Sequence, residues 1–198
     1  MVKTIAIIGR PNVGKSTLFN RLIAKNRAIV ADNPGVTRDY IVETYTDRNL
    51  NIELIDTAGL EENNKKNLSK ILKNTSKKVI EKSDAILFLV DVRSEITSDD
   101  LFLAKLVRKS GKDIILVANK CETVKQDQEA LKFDSFGFGE SVNISAEHNR
   151  GIQYLKSLIY ESFNHEYAGD ESSSLKEENK IKISILGRPN SGKSTLTN

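Results

Sequence analysis

The most constraining feature of this sequence is a block of sixteen residues that occurs twice: Ile5 to Asn20 reads IAIIGRPNVGKSTLFN, and Ile183 to Asn198 reads ISILGRPNSGKSTLTN. The copies differ only at Ala6/Ser184, Ile8/Leu186, Val13/Ser191 and Phe19/Thr197. Gly9 and Gly187 are 178 residues apart, one domain's length, and only 11 residues follow Gly187. Each block opens on a short apolar run, passes through a glycine turn and enters a helix-forming stretch, which predicts strand, turn and helix. The repeat therefore divides 198 residues into one whole domain and the opening of a second. The tail alone, without a sheet to pair with, could not hold a ligand competently, and we expect it to be mobile.

Further short apolar runs at Tyr40–Thr46, Leu50–Ile55, Ala85–Val90, Ile114–Ala118 and Ser141–Asn143 read, with Ile5–Ile8, as six strands. Helices are expected at Ser16–Lys25, Leu68–Lys82, Asp99–Lys109 behind a Thr97/Ser98 cap, and Gly151–Asn164. In the last of these, Ile152, Leu155, Ile159 and Phe163 step by three, four and four residues, as a core-facing stripe should. This alternation predicts an α/β fold, a mostly parallel six-stranded sheet flanked by helices. Residues 166–180, EYAGDESSSLKEENK, are polar and aperiodic and read as a flexible acidic linker. The expected organisation is thus a first domain over 1–165, the linker, and a truncated second copy over 181–198. Leu60 to Asn67 reads as a mobile loop.

Composition narrows the setting. One cysteine, Cys121, excludes an internal disulfide, and two histidines do not suffice for a His/Cys zinc site. We expect a reducing, cytoplasmic compartment. The longest apolar run, Ala85 to Val90, is far short of a membrane span, and no signal peptide is evident. A net charge of +3 is too small to argue for a nucleic-acid or membrane partner, so any basic surface must be local.

Gly9-Arg10-Pro11-Asn12-Val13-Gly14-Lys15-Ser16 fits G-x-x-x-x-G-K-S/T between a strand and a helix, the context that a phosphate-binding loop requires. Such a turn points backbone N–H groups inward, and the helix behind it adds its positive dipole end. Lys15 adds charge at the β/γ-phosphates, and the Ser16 hydroxyl is placed to ligate Mg²⁺, which prefers oxygen donors. Asp56-Thr57-Ala58-Gly59 follows a strand: its carboxylate can hold Mg²⁺ through water, and the Gly59 amide can meet a γ-phosphate. Asn119-Lys120-Cys121-Glu122 and Ser145-Ala146-Glu147 follow two further strands.

Taken together, GRPNVGKST, Asn33-Pro34-Gly35-Val36-Thr37-Arg38-Asp39, DTAGL, NKCE, SAE and the restart at GRPNSGKST resemble the translation-factor-class GTPases, most closely the Der (EngA) family of double-GTPase ribosome-assembly factors. The resemblance covers essentially the whole chain. It implies a P-loop GTPase domain with an incomplete second copy, binding GTP and GDP with Mg²⁺ and hydrolysing GTP slowly as a switch in large-subunit assembly. The alternative is a nucleotide-gated docking module whose hydrolysis is incidental. Implied partners are the large ribosomal subunit or its precursor and ribosomal RNA, with no membrane and a monomeric state.

By resemblance, the nucleotide would be held by Gly9 to Thr17, Asp56 to Leu60, Asn119, Lys120, Glu122, Ser145 and Ala146. Gly187, Gly192, Lys193 and Ser194 would be the equivalents in the second copy. Asn12, Lys15, Thr37 and Gly59 would be catalytic, and Ser16, Thr37 and Asp56 would hold Mg²⁺. The switches would lie at about Arg27–Tyr40 and Asp56–Lys77. Thr17 completes the phosphate loop's GKST. Asn119, Lys120 and Glu122 would read guanine, although the family has Asp where this chain has Glu122. That side chain is about 1.5 Å longer, which predicts weakened nucleotide affinity with GTP preference retained. Leu60 cannot orient water as a glutamine would, so Asn12 is expected to help bind K⁺ near the β/γ-phosphates.

Other features carry less. Lys65, Lys66, Lys70, Lys73, Lys77, Lys78 and Lys82 read as either a solvated helix face or an RNA-facing patch, with no aromatic interleaving to support stacking. Cys121 reads as a packing residue, His148 and His165 as surface residues, and Arg10 and Arg188 as residues whose side chains point away from the phosphates.

Overall fold

In a computed structural model, which describes residues 2–23, 35–37, 40–47, 50–57 and 68–164, the elements follow from how apolar residues alternate. In β1 (Val2–Ile8), Ile5 and Ile7 enter one core cluster while Ala6 and Ile8 enter another on the opposite face. The same division recurs in β5 (Ala85–Asp91), where Leu87 and Leu89 face one way and Ile86, Phe88 and Val90 the other. Strands apolar on both faces must be covered on both. Against the first face lie Leu18, Phe19, Leu22 and Ile23 of α1 (Lys15–Ile23) and the stripe Ile152, Leu155, Ile159 and Phe163 of α5 (Ile152–Asn164). The second is covered by Val79 and Ile80 of α2 (Leu68–Lys82) and Leu103, Ala104 and Val107 of α3 (Ser98–Arg108). Each fully buried Leu or Ile contributes about 1.5–3 kcal/mol, so these two layers supply the main driving force.

The remaining strands are β2 (Gly35–Thr37), β3 (Tyr40–Asp47), β4 (Leu50–Asp56), β6 (Asp113–Asn119) and β7 (Val142–Asn143), in the order β2-β3-β4-β1-β5-β6-β7. The six expected strands are all present, and β2 joins them as a three-residue edge strand antiparallel to β3. It is too short to show a period in sequence and exists by pairing along that edge. The β3–β4 pair is also antiparallel, whereas β1 pairs parallel with β4 and β5, β5 with β6, and β6 with β7. The expected helices recur within a residue or two where they are described, with Thr97 capping α3 in a box with Asp100. A short α4 (Val124–Glu129) and a 3₁₀ segment (Ala130–Phe136) were not expected.

Topology then locates a site. The chain leaves β1 toward β4 on one side and crosses to β5 on the other, so the order reverses at β1. Ligands in open α/β sheets bind outside the carboxyl ends of strands at such a reversal. In register, Ile7 lies beside Asp56, Asp91 beside Asn119, and Ala118 beside Asn143. The strand ends that carry the sequence motifs therefore share one edge.

Candidate functional site

The turn between β1 and α1 has close neighbours. A Cβ on Gly9 would lie 2.4 Å from the Leu89 carbonyl oxygen, and one on Gly14, where φ is +98°, would lie 2.3 Å from Asn119 Nδ2. Only glycine fits at either position. Asn12 adopts φ 65°, a left-handed conformation that Asn tolerates better than most residues. Lys15, at 3% exposure, bends its ammonium back across the turn and donates to the carbonyls of Gly9 at 3.0 Å and Arg10 at 2.8 Å.

Two residues from the end of β6 tie this turn to the next motif. Asn119, 3% exposed, donates from Nδ2 to the Val13 carbonyl at 2.8 Å and accepts at Oδ1 from the Ala146 N–H at 3.0 Å. Lys120 donates to the Asn12 carbonyl at 2.9 Å and pairs with Asp91 Oδ2 at 2.6 Å. In a trans peptide the C=O of one residue and the N–H of the next point in opposite directions, and no peptide here is cis. With the Asn12 and Val13 carbonyls drawn toward β6, the N–H groups of Val13 and Gly14 face the other way. The first intrahelical bond runs from Leu18 N–H to the Gly14 carbonyl at 3.0 Å, and the first-turn donors precede it. This is a concave array of backbone donors at a helix N-terminus, suited to polyphosphate.

Asp56, 1% exposed, ends β4, and Thr57 donates to the Ile7 carbonyl at 3.3 Å, which holds this segment against β1. Ser16 and Thr17 are exposed at the start of α1. An aliphatic hydroxyl and a carboxylate are hard oxygen donors, and the chemistry of that pair fits Mg²⁺. The one cluster of three His, Cys, Asp or Glu side chains among the described residues is Glu122, Glu147 and His148, exposed at the opposite end of the site.

Around NKCE, the Cys121 N–H donates to the Ile144 carbonyl at 2.9 Å, and Ile144 N–H to Ala118 at 2.8 Å. Cys121 is fully buried, as a packing residue should be, and burial, with the Asp127 carboxylate next, pushes its thiol up to about 11. Glu122 is exposed, its carboxylate against Arg93 and His148. Arg10 turns its guanidinium to Ser94 Oγ at 2.5 Å and to Asp100 Oδ2 at 3.2 Å, away from the turn.

Of the residues read from sequence, Gly9 to Thr17, Asp56, Thr57, Asn119, Lys120, Ser145 and Ala146 come together at this edge. Glu122 lies at its rim. Thr37 is a backbone position in β2 and its side chain lies outside the described residues, as do Ala58, Gly59, Leu60, Gly187, Gly192, Lys193 and Ser194. So do residues 166–198 and most of both expected switches, including Lys65 and Lys66. Three contributors were missed. Asp91, an acid closing an apolar strand as Asp56 does, could have been found by that analogy. Arg21 of α1 donates to the carbonyls of Ala146 at 2.9 Å and Glu147 at 2.6 Å, and Arg150 donates to the Cys121 carbonyl at 2.7 Å. Neither arginine has a sequence signal.

No helix among the described residues is long and apolar enough to cross a membrane. Residues 4–120 match the family described as 50S ribosome-binding GTPase. The chain is 44% identical to GTPase Der of Bartonella bacilliformis, over 100% of this chain and 47% of that protein. It is also 44% identical to GTPase Der of Kosmotoga olearia, over 98% of this chain and 45% of that one. The chain thus spans about half the length of the curated relatives it matches. Among solved structures, Aquifex aeolicus Era bound to GDP·AlF₄⁻ is similar at 27% identity and TM-score 0.64, covering 81% of this chain and 56% of that one. Era in complex with MgGDPNP and a segment of 16S ribosomal RNA is similar at 28% identity and TM-score 0.61, with the same coverages of 81% and 56%. The strand order, the phosphate loop braced by Asn119 and Lys120, and these likenesses lead to one assignment: the chain belongs to the 50S ribosome-binding GTPase family, with the α/β P-loop GTPase fold, and is similar to about half of GTPase Der.

Proposed function

We propose that this chain binds GTP with Mg²⁺ and hydrolyses it to GDP and phosphate, as a switch in assembly of the large ribosomal subunit. The observation that carries this reading is the pair of hydrogen bonds from Asn119 to Val13 and Lys120 to Asn12, which join a phosphate cradle and a base-reading motif in one cluster. Gly9 to Thr17 hold the phosphates, with Lys15 moving from its own loop carbonyls to the β/γ oxygens. Asn119, Lys120, Glu122, Ser145 and Ala146 face the base. Ser16, Asp56 and Thr37 would hold Mg²⁺, which when bound neutralises charge on the β- and γ-phosphates. Gly59 donates to the γ-phosphate, and the Asp56–Leu60 segment answers its presence. Catalysis is then positioning and charge stabilisation.

The Leu60 side chain offers no hydrogen bond to water, and Asn12, exposed at the loop, would hold a K⁺ ion, which when bound would add positive charge near the phosphates. Phosphate release from GTP in KCl and NaCl, with and without Asn12→Ala, tests this, and equal rates in the two salts would refute it. Residues 166–180 serve as a linker to a second copy in which Gly187, Gly192, Lys193 and Ser194 repeat the cradle. The partner is the large ribosomal subunit or its RNA, in a cytoplasmic setting, with the protein monomeric. Era, a structural neighbour, has been seen with 16S ribosomal RNA.

The decisive experiment compares GTP and ATP turnover with and without large ribosomal subunits. Turnover selective for GTP and raised by subunits supports the switch. Leu60 favours the second reading, a docking module with incidental hydrolysis, which predicts GTP-dependent subunit binding that a hydrolysis-dead variant retains in full. Equal use of ATP and GTP would overturn both.

A further inference from the structure

Glu122 stands where the family pattern has Asp, one methylene further from the backbone, and the structure shows what takes up that reach. Its Oε1 is paired with the Arg93 guanidinium, and His148 Nε2 lies 3.5 Å from the same oxygen. Arg93 sits on a fixed base: its N–H donates to Asp91 Oδ1 at 3.0 Å, and Asp91 Oδ2 takes Lys120 at 2.6 Å. The Val92 N–H donates to the Asn119 carbonyl at 3.1 Å, and the Val92 carbonyl accepts from Lys132 at 2.9 Å. A closed ring thus runs from Lys120 through Asp91 and Arg93 to Glu122 and back along the NKCE backbone.

We propose that Arg93 is a positioning residue that lets a glutamate serve as the guanine-reading carboxylate. The inference rests on the assignment of Glu122 to the guanine N1–H and N2 amino group. A longer side chain has one more rotor to order, and a carboxylate that wanders makes poor bidentate hydrogen bonds. Arg93 holds Glu122 by one oxygen. An ionised carboxylate accepts at about four lone-pair directions, so capacity remains for two donors from the base.

The test uses the full chain and calorimetric affinities for GDP, IDP, which lacks the N2 amino group, and ADP. Replacing the half-exposed arginine, Arg93→Gln, narrows the GDP/IDP ratio about two- to fivefold, with a smaller loss of affinity for IDP, whose N1–H still meets Glu122. Arg93→Lys restores most of the ratio. In a Glu122→Asp background, whose carboxylate lies about 1.5 Å further from Arg93, Arg93→Gln has a smaller effect on it. A wild-type protein that binds GDP no better than ADP removes the guanine reading, and this inference with it. A wild type that prefers GDP, together with an unchanged GDP/IDP ratio, tighter GDP binding, or equal losses of GDP and IDP in Arg93→Gln, overturns the inference alone.

Discussion

Gly14→Ala isolates the contact on which the site turns. The new Cβ would sit 2.3 Å from Asn119 Nδ2, whereas ordinary contact begins at 3.4 Å, so the amide must retreat by about 1.1 Å. That amide is wedged between the Val13 carbonyl at 2.8 Å and the Ala146 N–H at 3.0 Å, and a displacement of this size breaks at least the first bond. A left-handed backbone conformation costs a non-glycine residue about 1–2 kcal/mol. Each lost hydrogen bond removes about 1 kcal/mol, and a buried group left without a partner costs about 1–3 kcal/mol more. The sum is about 3–6 kcal/mol, against the 5–15 kcal/mol that a domain usually has. Gly111→Ala is the control: φ is +67° there, but nothing lies within 4 Å of the added Cβ. It should lose only the backbone contribution, about 1–2 kcal/mol. Urea denaturation followed by circular dichroism, with m near 2 kcal/mol/M, should move the Gly14→Ala midpoint by roughly 1.5–3 M and the control by about 0.5–1 M. Equal shifts for the two variants would show that Asn119 yields without cost, and the bracing of the phosphate loop by β6 would have to be abandoned.

Arg21→Ala removes two hydrogen bonds from the loop after β7 and should weaken GDP binding by about 3- to 10-fold by calorimetry; unchanged affinity would show that the loop holds its own shape. Because the Cys121 thiol is raised from 9.0 to about 11, the unfolded chain loses this proton first as pH rises. Its contribution to stability is complete below pH 9 and falls between 9 and 11 by as much as about 2 kcal/mol, a slope that Cys121→Ala should lose in urea titrations across that range. Native Cys121 should also resist alkylation at pH 8. Hydrogen bonding from Arg150 holds the Asp127 carboxyl below its usual range, so this pair's contribution is present above pH 4 and lost as pH falls through the lower folded value. Asp127→Asn should therefore cost about 1 kcal/mol at pH 7 and progressively less as pH falls below 4, and a cost independent of pH would contradict an ionic role.

The phosphate loop was readable because its pattern dictates backbone: Gly14 must be glycine, and Lys15 must open a helix directly behind a buried strand. α5 was readable because four apolar side chains fall on one stripe. α4 was not, although Thr123 and Gln126 form a capping box, because none of its six residues is buried and no stripe exists to see. The 3₁₀ segment behind it is held by Phe133 and Phe136, the latter stacked edge-on to Phe88 with ring centroids 5.6 Å apart. Those partners lie more than forty positions apart in sequence, and no local period links them. Arginines hide for a related reason. Arg21 reaches Ala146 across 125 positions and Arg93 reaches Glu122 across 29, yet in sequence each is one more charge on a polar stretch. A motif shows which residues can meet a ligand; the side chains that aim them are chosen by topology.

That distinction bears on how the site works as a unit. The Gly9 and Arg10 carbonyls belong to Lys15, the Asn12 carbonyl to Lys120 and the Val13 carbonyl to Asn119. Lys120 and Asn119 come from the strand end that carries NKCE, and Asn119 also fixes the Ala146 amide. The orientation of the phosphate-facing N–H groups is therefore set partly by residues whose proposed task is to recognise the base. Polyphosphate drawing Lys15 off its own loop carbonyls would leave those two oxygens to new partners, while Lys120 and Asn119 keep the other half of the turn in place. The loop is thus divided into a part held by its own lysine and a part held from the end of β6. The part held from β6 is the one tied to NKCE, so the edge proposed to read the base can stay formed whether or not a terminal phosphate is present.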